Sequence, residues 1–489
     1  MSVAWAGALV DSGGVDVAIA LLLSLMNDDS SWKIENHLRS FAQSRPAGER
    51  LPSTRALVAE HAASPLTVQR AIKRLVLEGL VETRPGSGNF VARPRAIKQA
   101  DYSWQTTALG EARSDHSVVG TTMASAPAET IALHGGYPGE DLLPARLVRT
   151  ALVRASRGAS AMARGAASGL PELRSWFASE IPSLGAVAPV TADDVLITPG
   201  GQSAMSSVFR ALAVHGDSVV MESPTYWGAM AAARQAGLRI VPVARGSHST
   251  LAEALDVAFA ASGARLFYAQ PHFANPTGVV WSAGERRDIL AVIRARGVYL
   301  IEDDWAHDFS IDTDVTPLMA EDTDGHVIFI RSLTKSLSPA LRVGAVIARG
   351  PALARIQADR MVDDLYVSGV LQTAAIDVLT DPGWRSHLVR LRGSLRERRD
   401  ELARQVVAHL GADALTLLPK GGMNLWVRLD DGTDVTALAA RSREAGVMFA
   451  PGEDWFPAEP TGAFLRLNYS GDRPERFGEA VETIARLLP

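Results

Sequence analysis

Beyond residue 130, short apolar runs alternate with helical stretches, and this alternation restricts the fold of the chain more than any other feature. Five runs carry the pattern: DVLIT, SVVME, RLFYA, VYLIE and HVIFI. Apolar strands that alternate with helices are typical of a mostly parallel β-sheet with helices on its faces. The sequence therefore predicts an α/β domain over residues 131–489.

A polar cluster follows each of these runs. In chain order the clusters are TPGGQSAM, SPTYWG, QPHFANPTG, EDDWAHDF and RSLTKSLSPALRVG. The carboxyl ends of parallel strands lie at one edge of a sheet, and ligands bind there. The alternative is five unrelated surface loops, and because all five share one position in the pattern, a single ligand site is the better interpretation.

The side chains in these clusters fit pyridoxal 5′-phosphate. A lysine that forms a Schiff base needs a cofactor aldehyde, an acid at the pyridine nitrogen and a phosphate cradle. Lys335 is the candidate for the Schiff base, and Asp303 is the candidate partner of the pyridinium nitrogen. Tyr226 is placed to stack on the ring, and Asn275 is placed to donate to the ring oxygen. A lone lysine in a polar loop is usually a solvated charge, so the interpretation rests on the whole set.

The phosphate has its own predicted cradle. A helix N-terminus is suited to an anion, because its first amides have no partner within the helix. Three residues would supply those amides: Gly201, Gln202 and Ser203. Three side chains around Lys335 would complete the cradle: Ser332, Thr334 and Arg342.

The segment 31–95 differs from the rest of the chain in charge. It has eleven basic and five acidic residues, a balance of +6, whereas the whole chain of 489 residues carries −5, which leaves −11 for the remainder by subtraction. Such a basic module predicts contact with nucleic acid. The chain has no cysteine, which excludes disulfides, thiolate zinc sites and thiol catalysis. Histidines such as His272, His307 and His326 lack metal-ligand spacing, so no metal site is predicted.

The pattern inside this module predicts a winged helix-turn-helix. Ser53 and Ser64 are placed as helix N-caps, and Pro65 falls at a first helical position. In the second of these helices an apolar stripe faces away from Arg70 and Lys73, and the Pro- and Gly-rich turn RPGSGN joins two β-prone runs. The basic helix face is predicted to enter the major groove of DNA.

This module resembles the DNA-binding domain of the GntR regulators, whose pattern runs Leu-Pro-Ser-x-Arg, Ser-Arg-x-Thr-Val, Gly-Leu and a Pro-Gly-x-Gly wing. The matching residues are Leu51, Pro52, Ser53, Arg55, Ser64, Thr67, Val68, Gly79, Leu80, Pro85, Gly86 and Gly88. The residues expected to serve DNA binding are Ser53, Arg55, Ser64, Thr67, Arg70, Lys73 and Gly86. The family commonly has an arginine where this chain has Pro65, so Arg70 is expected to supply the missing contact.

The large domain resembles the fold-type I aminotransferases. The shared motifs are Ser-x-[Ser/Thr]-Lys with an arginine seven residues later, Asn-Pro-x-Gly and Glu-Asp-Asp, and they include Lys335, Arg342 and Asn275. Arg466, in FLRLNYS, matches the family arginine that holds a substrate α-carboxylate. Trp305 stands where the family usually has a tyrosine that hydrogen-bonds the ring oxygen of the cofactor. An indole N–H could at best replace that donated bond, or the ring could simply form a wall of the pocket.

A GntR-like module joined to an aminotransferase-like domain is the architecture of the MocR/GabR regulators. That resemblance implies a pyridoxal phosphate-dependent transcription factor that forms a head-to-tail homodimer. It also implies a smaller α+β domain that combines the stretch after about Asp364 with a segment near Leu133.

The rest of the organisation follows from composition. Residues 1–30 are expected to form an extra helix, and residues 96–130, which lack sustained periodicity, are expected to be a linker. The apolar run Val15 to Met26 is too short for a membrane span and lacks the flanks of a signal peptide, so a cytoplasmic protein is expected.

Three functions remain open at this point. The first is a regulator that senses pyridoxal phosphate and an amino compound, and the second is a working aminotransferase whose DNA-binding module is vestigial. The third is a sensor of vitamin B6 itself, without a second effector. The operator, the regulated gene and the direction of regulation are not encoded in these patterns.

Overall fold

The computed structural model divides into two compact units, residues 1–110 and residues 111–489. It describes residues 31–93, 101–109, 123–127, 129–184, 187–245 and 249–488. The helix expected in residues 1–30 and much of the expected linker lie outside these ranges. No helix in the described part of the chain is long and apolar enough to cross a membrane.

The N-terminal unit is built from short helices and one β-hairpin. Its elements are α1 (31–44), α2 (Thr54–His61), α3 (Pro65–Leu77), β1 (Val81–Arg84), β2 (Gly88–Val91) and α4 (Ser103–Leu109). The first three helices and the hairpin share a small core that includes Leu38, Leu57 and Leu75. Strands β1 and β2 pair antiparallel, from Val81 opposite Val91 to Arg84 opposite Gly88. The winged helix-turn-helix predicted from the sequence is therefore present.

A seven-stranded sheet forms the centre of the second unit. Its strands are β4 (Val195–Thr198), β5 (Ser218–Ser223), β6 (Arg239–Ala244), β7 (Leu266–Ala269), β8 (Tyr299–Asp304), β9 (Val327–Ser332) and β10 (Gly344–Ile347). Their order across the sheet is β4-β10-β9-β8-β7-β5-β6. Strand β10 pairs antiparallel with both neighbours, and the other neighbouring pairs are parallel. The predicted α/β fold is confirmed.

Helices cover both faces of this sheet. They are α5 (Ala145–Arg157), α6 (Pro171–Ser179), α7 (Gly201–Leu212), α8 (Trp227–Gln235), α9 (Leu251–Ser262), α10 (Ala283–Arg296), α11 (Pro351–Asp363) and α12 (Gly369–Thr380). Side chains alternate between the two faces along each strand. In β7, Phe267 joins the apolar core on one face, whereas Leu266 and Tyr268 join the core on the other. This double burial explains why the strands are continuously apolar in the sequence.

The C-terminal part forms a smaller α+β layer. Its elements are α13 (Gly383–Leu410), β11 (Asn424–Arg428), α14 (Val435–Glu444), β12 (Val447–Met448), β13 (Ala450–Pro451), β14 (Phe464–Asn468) and α15 (Phe477–Arg486). Strand β14 lies between β11 and β13. Strand β3 (Ile131–Ala132) pairs parallel with β12, and the Leu133 amide donates to the Met448 carbonyl at 2.7 Å. The segment near Leu133 thus joins this layer, as the resemblance implied.

Candidate cofactor pocket and DNA-binding surface

A cavity of about 610 Å³ lies in the second unit, where polar residues follow strands β4, β7, β8 and β9. Most of the residues predicted for the cofactor site line it: Gly201, Gln202, Tyr226, Asn275, Asp303, Trp305, Ser332, Thr334, Lys335 and Arg342. Arg466, predicted to hold an effector, lines it as well. The loops after separate strands therefore meet at one cavity, as expected for the carboxyl edge of a parallel sheet.

Lys335 follows β9 and lies inside this cavity. Burial lowers the pKa of its amine from 10.5 to about 8, against the opposing charge of Asp303, and Arg466 and Arg342 lower it further. Its Nζ lies 4.3 Å from the centre of the Trp305 ring. Lowering the pKa of a buried amine makes it a better nucleophile near neutral pH, because a larger fraction of it is uncharged than in an ordinary lysine.

Asp303, the penultimate residue of β8, is held from behind by two donors. The Tyr268 hydroxyl donates to its Oδ2 at 2.7 Å, and the Gln270 side-chain amide donates to the same oxygen at 2.8 Å. Burial raises the pKa of this carboxyl, while the two hydrogen bonds and the charge of Lys335 oppose the rise. Because both bonds use Oδ2, Oδ1 remains for a ligand. A ring nitrogen that carries a proton would fit this acceptor.

Asn275 lines the same cavity and has a fixed orientation. The Trp455 indole donates to its Oδ1 at 3.2 Å, so the amide nitrogen of Asn275 is left to donate to a ligand. Its backbone amide also donates to Gln270 Oε1 at 2.8 Å. A ring oxygen on a bound ligand would therefore meet a donor at this position, as the sequence predicts.

The Trp305 indole is already committed within the protein. Its Nε1 donates to the Phe273 carbonyl at 3.1 Å, and the side chain is buried. Of the two roles left open by the sequence, the structure therefore favours the wall of the pocket. A ligand's ring oxygen would depend on Asn275 rather than on Trp305.

The corner predicted to hold phosphate is crowded with polar groups. Ser332 Oγ and Thr334 Oγ1 lie 2.9 Å apart, and Arg342 Nη2 donates to the Pro199 carbonyl at 3.2 Å. Gly200 has a φ of +90°, and a Cβ there would lie 3.0 Å from Arg342 Nη2 and 3.1 Å from Thr334 Cγ2. Helix α7 begins at the next residue, Gly201. A tight glycine turn beside a helix N-terminus, two hydroxyls and a guanidinium fits a phosphate group.

The side chains of Gln202 and Ser203 have partners within the protein. The Gln202 amide donates to the Gly228 carbonyl at 2.8 Å and its Oε1 accepts from the Tyr226 hydroxyl at 3.2 Å, which fixes the tyrosine. Ser203 Oγ accepts from Arg360 at 2.6 Å, and Ser203 is absent from the cavity lining. The predicted role of these two residues is thus restricted to the amides of the first turn of α7.

Arg466, in β14, is a buried guanidinium without a carboxylate partner among the described residues. Its Nη2 donates to the carbonyls of His134 and Gly135 at 2.6 and 3.0 Å, and its Nε has no hydrogen bond. The guanidinium lies 4.7 Å from the centre of the Trp455 ring. Burial lowers its pKa to about 10. An uncompensated buried cation is costly, so an anionic ligand would be stabilised here.

Several residues of this cavity were missed by the sequence analysis. Tyr268 and Gln270 support Asp303, and Trp455 orients Asn275. Gln270 is the first residue of the cluster QPHFANPTG, so its place at the site could have been predicted from the sequence. Tyr268 lies within an apolar strand and Trp455 lies 180 residues from its partner, and no local pattern indicates either contact.

The predicted DNA-binding residues lie on the N-terminal unit. Arg70 and Lys73 are exposed on α3, and Arg55 is exposed on α2. Arg74, on the same helix, is ion-paired with Glu35 of α1 at 2.8 Å. Gly86 lies in the hairpin turn with a φ of +74° and open space around it. Arg70 and Lys73 are therefore the basic side chains of α3 that remain available to a phosphate backbone.

The other predicted residues of this surface act as helix caps. Ser53 Oγ accepts from the Ala56 amide at 3.2 Å, and Ser64 Oγ accepts from the Thr67 amide at 3.1 Å. Thr67 is 2% exposed and its hydroxyl lies 2.8 Å from Ser64 Oγ. The side chain of Thr67 thus stabilises the start of α3, and this burial leaves it little surface for a contact with DNA.

Two family models match this chain. Residues 134–484 match the model described as aminotransferase class I and II, and residues 34–91 match the model described as bacterial regulatory proteins, gntR family.

Known proteins resemble the chain over most of its length. The uncharacterized HTH-type transcriptional regulator YdfD of Bacillus subtilis strain 168 is 25% identical over 87% of this chain and 89% of its own. The probable rhizopine catabolism regulatory protein MocR of Rhizobium meliloti is 28% identical over 90% of this chain and 89% of its own. Among solved structures, the α-aminoadipate aminotransferase LysN of Thermus thermophilus, complexed with N-(5′-phosphopyridoxyl)-L-leucine, is 28% identical. It covers 76% of this chain and 95% of its own with a TM-score of 0.68.

Proposed function

This chain belongs to the aminotransferase class I and II family, and because a gntR-type module precedes that domain, we propose that it is a transcriptional regulator that senses pyridoxal 5′-phosphate and an amino compound. The observation that carries the proposal is the presence, on one chain, of an exposed basic recognition helix and of a cavity around Lys335. The pairing of the two domains, predicted from the sequence, is confirmed by the family matches.

The residues around the cavity fit the cofactor. Lys335 would attach its aldehyde, Asp303 would accept a hydrogen bond from the pyridinium N–H, and Asn275 would donate to the ring oxygen. Ser332, Thr334, Arg342 and the first amides of α7 would hold the phosphate, and Tyr226 would pack against the ring. When bound, pyridoxal phosphate supplies an electrophilic carbon that exchanges its lysine for an incoming amine. Binding of an amine effector would thereby free the Lys335 side chain from the cofactor.

Arg466 would select the effector. Its buried guanidinium has no carboxylate partner among the described residues, so an effector carboxylate would gain charge-assisted hydrogen bonds there. An amino acid would satisfy Lys335 and Arg466 together. A sensor of vitamin B6 alone would leave this cation uncompensated.

The related proteins support regulation of transcription. YdfD and MocR carry that role in their names, and each aligns with about nine tenths of this chain. We propose in addition that the protein acts in the cytoplasm, where bacterial DNA is found, and as a dimer with a head-to-tail arrangement. The aminotransferase family membership supports a dimer as such.

A working aminotransferase is the second candidate. The observation in its favour is that every group proposed to hold the cofactor would serve catalysis equally well, and the likeness to LysN covers the same domain. Against it stands the Trp305 N–H, which is bonded to Phe273 and leaves a ring oxygen with fewer donors.

The test combines DNA protection with a turnover assay. DNA upstream of the protein's own gene is footprinted with apoprotein, with pyridoxal phosphate, and with pyridoxal phosphate plus a panel of amino acids. We expect protection whose extent or affinity changes with an amino acid in the wild type, and no such response in Arg466→Ala with the cofactor still bound. Turnover above roughly 1 per second without DNA protection would establish the aminotransferase instead.

A further inference from the structure

Three potential metal ligands meet on the N-terminal unit. They are His37 of α1 and the last two residues of α2, Glu60 and His61. Their ligand atoms all lie within 4.8 Å of one another. His37 and His61 are 24 residues apart, so no short motif in the sequence indicates this group.

The distances within the group are close to those of a metal site. His37 Nδ1 lies 2.8 Å from His61 Nε2 and 3.4 Å from Glu60 Oε1. Two ligand atoms on a tetrahedral zinc ion are about 3.3 Å apart, given metal–nitrogen bonds of about 2.0–2.1 Å. Glu60 Oε1 already lies at about that distance from His37 Nδ1. The two imidazole nitrogens, His37 Nδ1 and His61 Nε2, would need to move apart by about half an ångström. The side chains of His37 and Glu60 are partly exposed, which leaves them room to adjust.

We propose that His37, Glu60 and His61 bind one divalent transition-metal ion of the zinc type. Two imidazoles and one carboxylate suit zinc, cobalt or nickel, whereas magnesium and calcium prefer oxygen ligands. The side chains of His37 and Glu60 are 34% and 52% exposed, so water reaches the remaining coordination positions. The site is therefore open to solvent and accessible to an ion without unfolding.

The position of the site gives the ion a structural role in the DNA-binding module. Helix α1 is already linked to α3 by the Arg74–Glu35 ion pair, and Arg39 donates to Glu78, just beyond the end of α3, with two bonds of 2.9 Å. The ion would link α1 to the end of α2. His61 precedes the turn that leads to Ser64, the N-cap of α3. Metal binding would thus fix the helix-turn-helix turn on α1 and stabilise the recognition helix in its orientation.

The experiment uses the full-length protein without an affinity tag and after treatment with a chelator. Zinc is titrated by calorimetry, cobalt is followed by its visible absorption, and magnesium is the comparison ion. We expect one equivalent of zinc, an absorption spectrum of imidazole-bound cobalt, and no response to magnesium. Thermal unfolding of the module should move upward by a few degrees at saturating zinc, because the ion binds the folded state.

Variants assign the binding to these side chains. His37→Gln, His61→Gln and Glu60→Gln should each lower zinc affinity by at least about tenfold, whereas His409→Gln, which changes an exposed histidine on α13, should not. Glu60 is exposed, so Glu60→Gln tests the site even where a histidine variant fails to fold. Equal zinc affinity in all three variants would place the ion elsewhere and overturn the proposal. Absence of zinc binding in the wild type would also overturn it and would leave His37 and His61 as a hydrogen-bonded pair.

Discussion

Single side chains set the chemistry of the pocket through burial. Lys335 is buried, and its amine loses water that would stabilise its charge, so its pKa falls to about 8. Arg466 undergoes the same loss, and its pKa falls to about 10. The two buried cations differ in consequence, because near pH 8 about half of the Lys335 amine is neutral, whereas the Arg466 guanidinium, with a pKa of about 10, is still charged. One therefore reacts with a carbonyl and the other attracts an anion.

The pKa of Lys335 predicts the pH dependence of cofactor attachment. The neutral amine reacts, and a pKa of about 8 makes half of it neutral near pH 8, so the attachment rate should rise with pH and level off above that value. Stopped-flow absorbance of apoprotein mixed with pyridoxal phosphate measures this rate. Lys335→Ala provides the background from surface lysines, and Lys420→Ala, at an exposed position, is the matched control. A rate that climbs tenfold per pH unit up to pH 10 would contradict the prediction.

Gly200 offers a second prediction at this scale. An alanine there adds a methyl group 3.0 Å from Arg342 Nη2, so Gly200→Ala should displace the guanidinium and weaken pyridoxal phosphate binding by about tenfold or more, about 1.4 kcal/mol. Gly263→Ala is the matched control, because Gly263 also has a positive φ but nothing within 4 Å of the added Cβ. Gly263→Ala should lose about 1–2 kcal/mol of stability, because Gly263 is left-handed helical, and Gly200→Ala should lose more, because its φ of 90° and ψ of 172° are adopted essentially by glycine alone. Equal cofactor affinity in the two variants would show that the cradle does not depend on this contact.

At the scale of elements, the basic side chains of helix α3 fall into two groups, one that stabilises the fold and one that is exposed. Arg74 is paired with Glu35 and supports the fold, whereas Arg70 and Lys73 are exposed one turn apart. The N-cap at Ser64 satisfies the Thr67 amide and fixes where the helix begins. The exposed pair is thereby presented on a helix whose start and inner face are both fixed.

Replacing Arg70 and Lys73 with alanine should weaken binding to DNA and flatten its salt dependence. Each phosphate contact releases about 0.9 counterion, so loss of both should reduce the slope of log K against log salt by up to about 1.8. Fluorescence anisotropy over a salt series measures this slope. The charge-matched control is Arg287→Ala with Lys420→Ala, at exposed positions of the other unit. An unchanged slope in the α3 variant would exclude this helix from the contact.

The sequence predicts five strands of the seven-stranded sheet and misses β6 and β10. Strands β5, β7 and β9 appear as continuous apolar runs because helices cover both sides of them. Strand β6 is at the edge of the sheet and has one buried residue among six. Strand β10 is buried, but it comes directly after the polar cluster RSLTKSLSPALRVG rather than after a helix, so the alternation does not mark it.

The site residues also divide into those that the sequence predicts and those whose contacts depend on the order of the strands. Motif residues such as Lys335 and Asn275 follow their strands and could be predicted from the sequence. The bond from Gln270 to Asp303 depends on β7 lying beside β8, where Ala269 stands opposite Glu302.

At the scale of the whole molecule, the chain has separate apolar cores in its two units. The helix-turn-helix core is formed by residues between Ile34 and Val91, and the cores of the other unit begin at Ile131. A unit with its own core can unfold cooperatively by itself. Ligands that bind one unit should stabilise that unit.

Calorimetry should therefore show two transitions, and pyridoxal phosphate should raise the one that belongs to residues 111–489. A ligand at 100 times its dissociation constant stabilises by about 2.7 kcal/mol, which is a shift of a few degrees for a domain of this size. Lys335→Ala should show a smaller shift, since the covalent link is lost. A single transition that moves as a whole on adding the cofactor would contradict the independence of the two units.

The contact between Trp305 and Lys335 also places a fluorescent side chain beside the cofactor-attachment site. An indole 4.3 Å from the attachment amine is an emitter placed beside any chromophore that binds there. A pyridine ring conjugated to its substituent absorbs in the range where indole emits. Energy transfer to the bound ligand would therefore quench the fluorescence of Trp305. The chain has ten tryptophans, and Trp305 is one of those that line the cavity. Intrinsic tryptophan fluorescence would therefore distinguish cofactor-free from cofactor-bound protein without an attached dye.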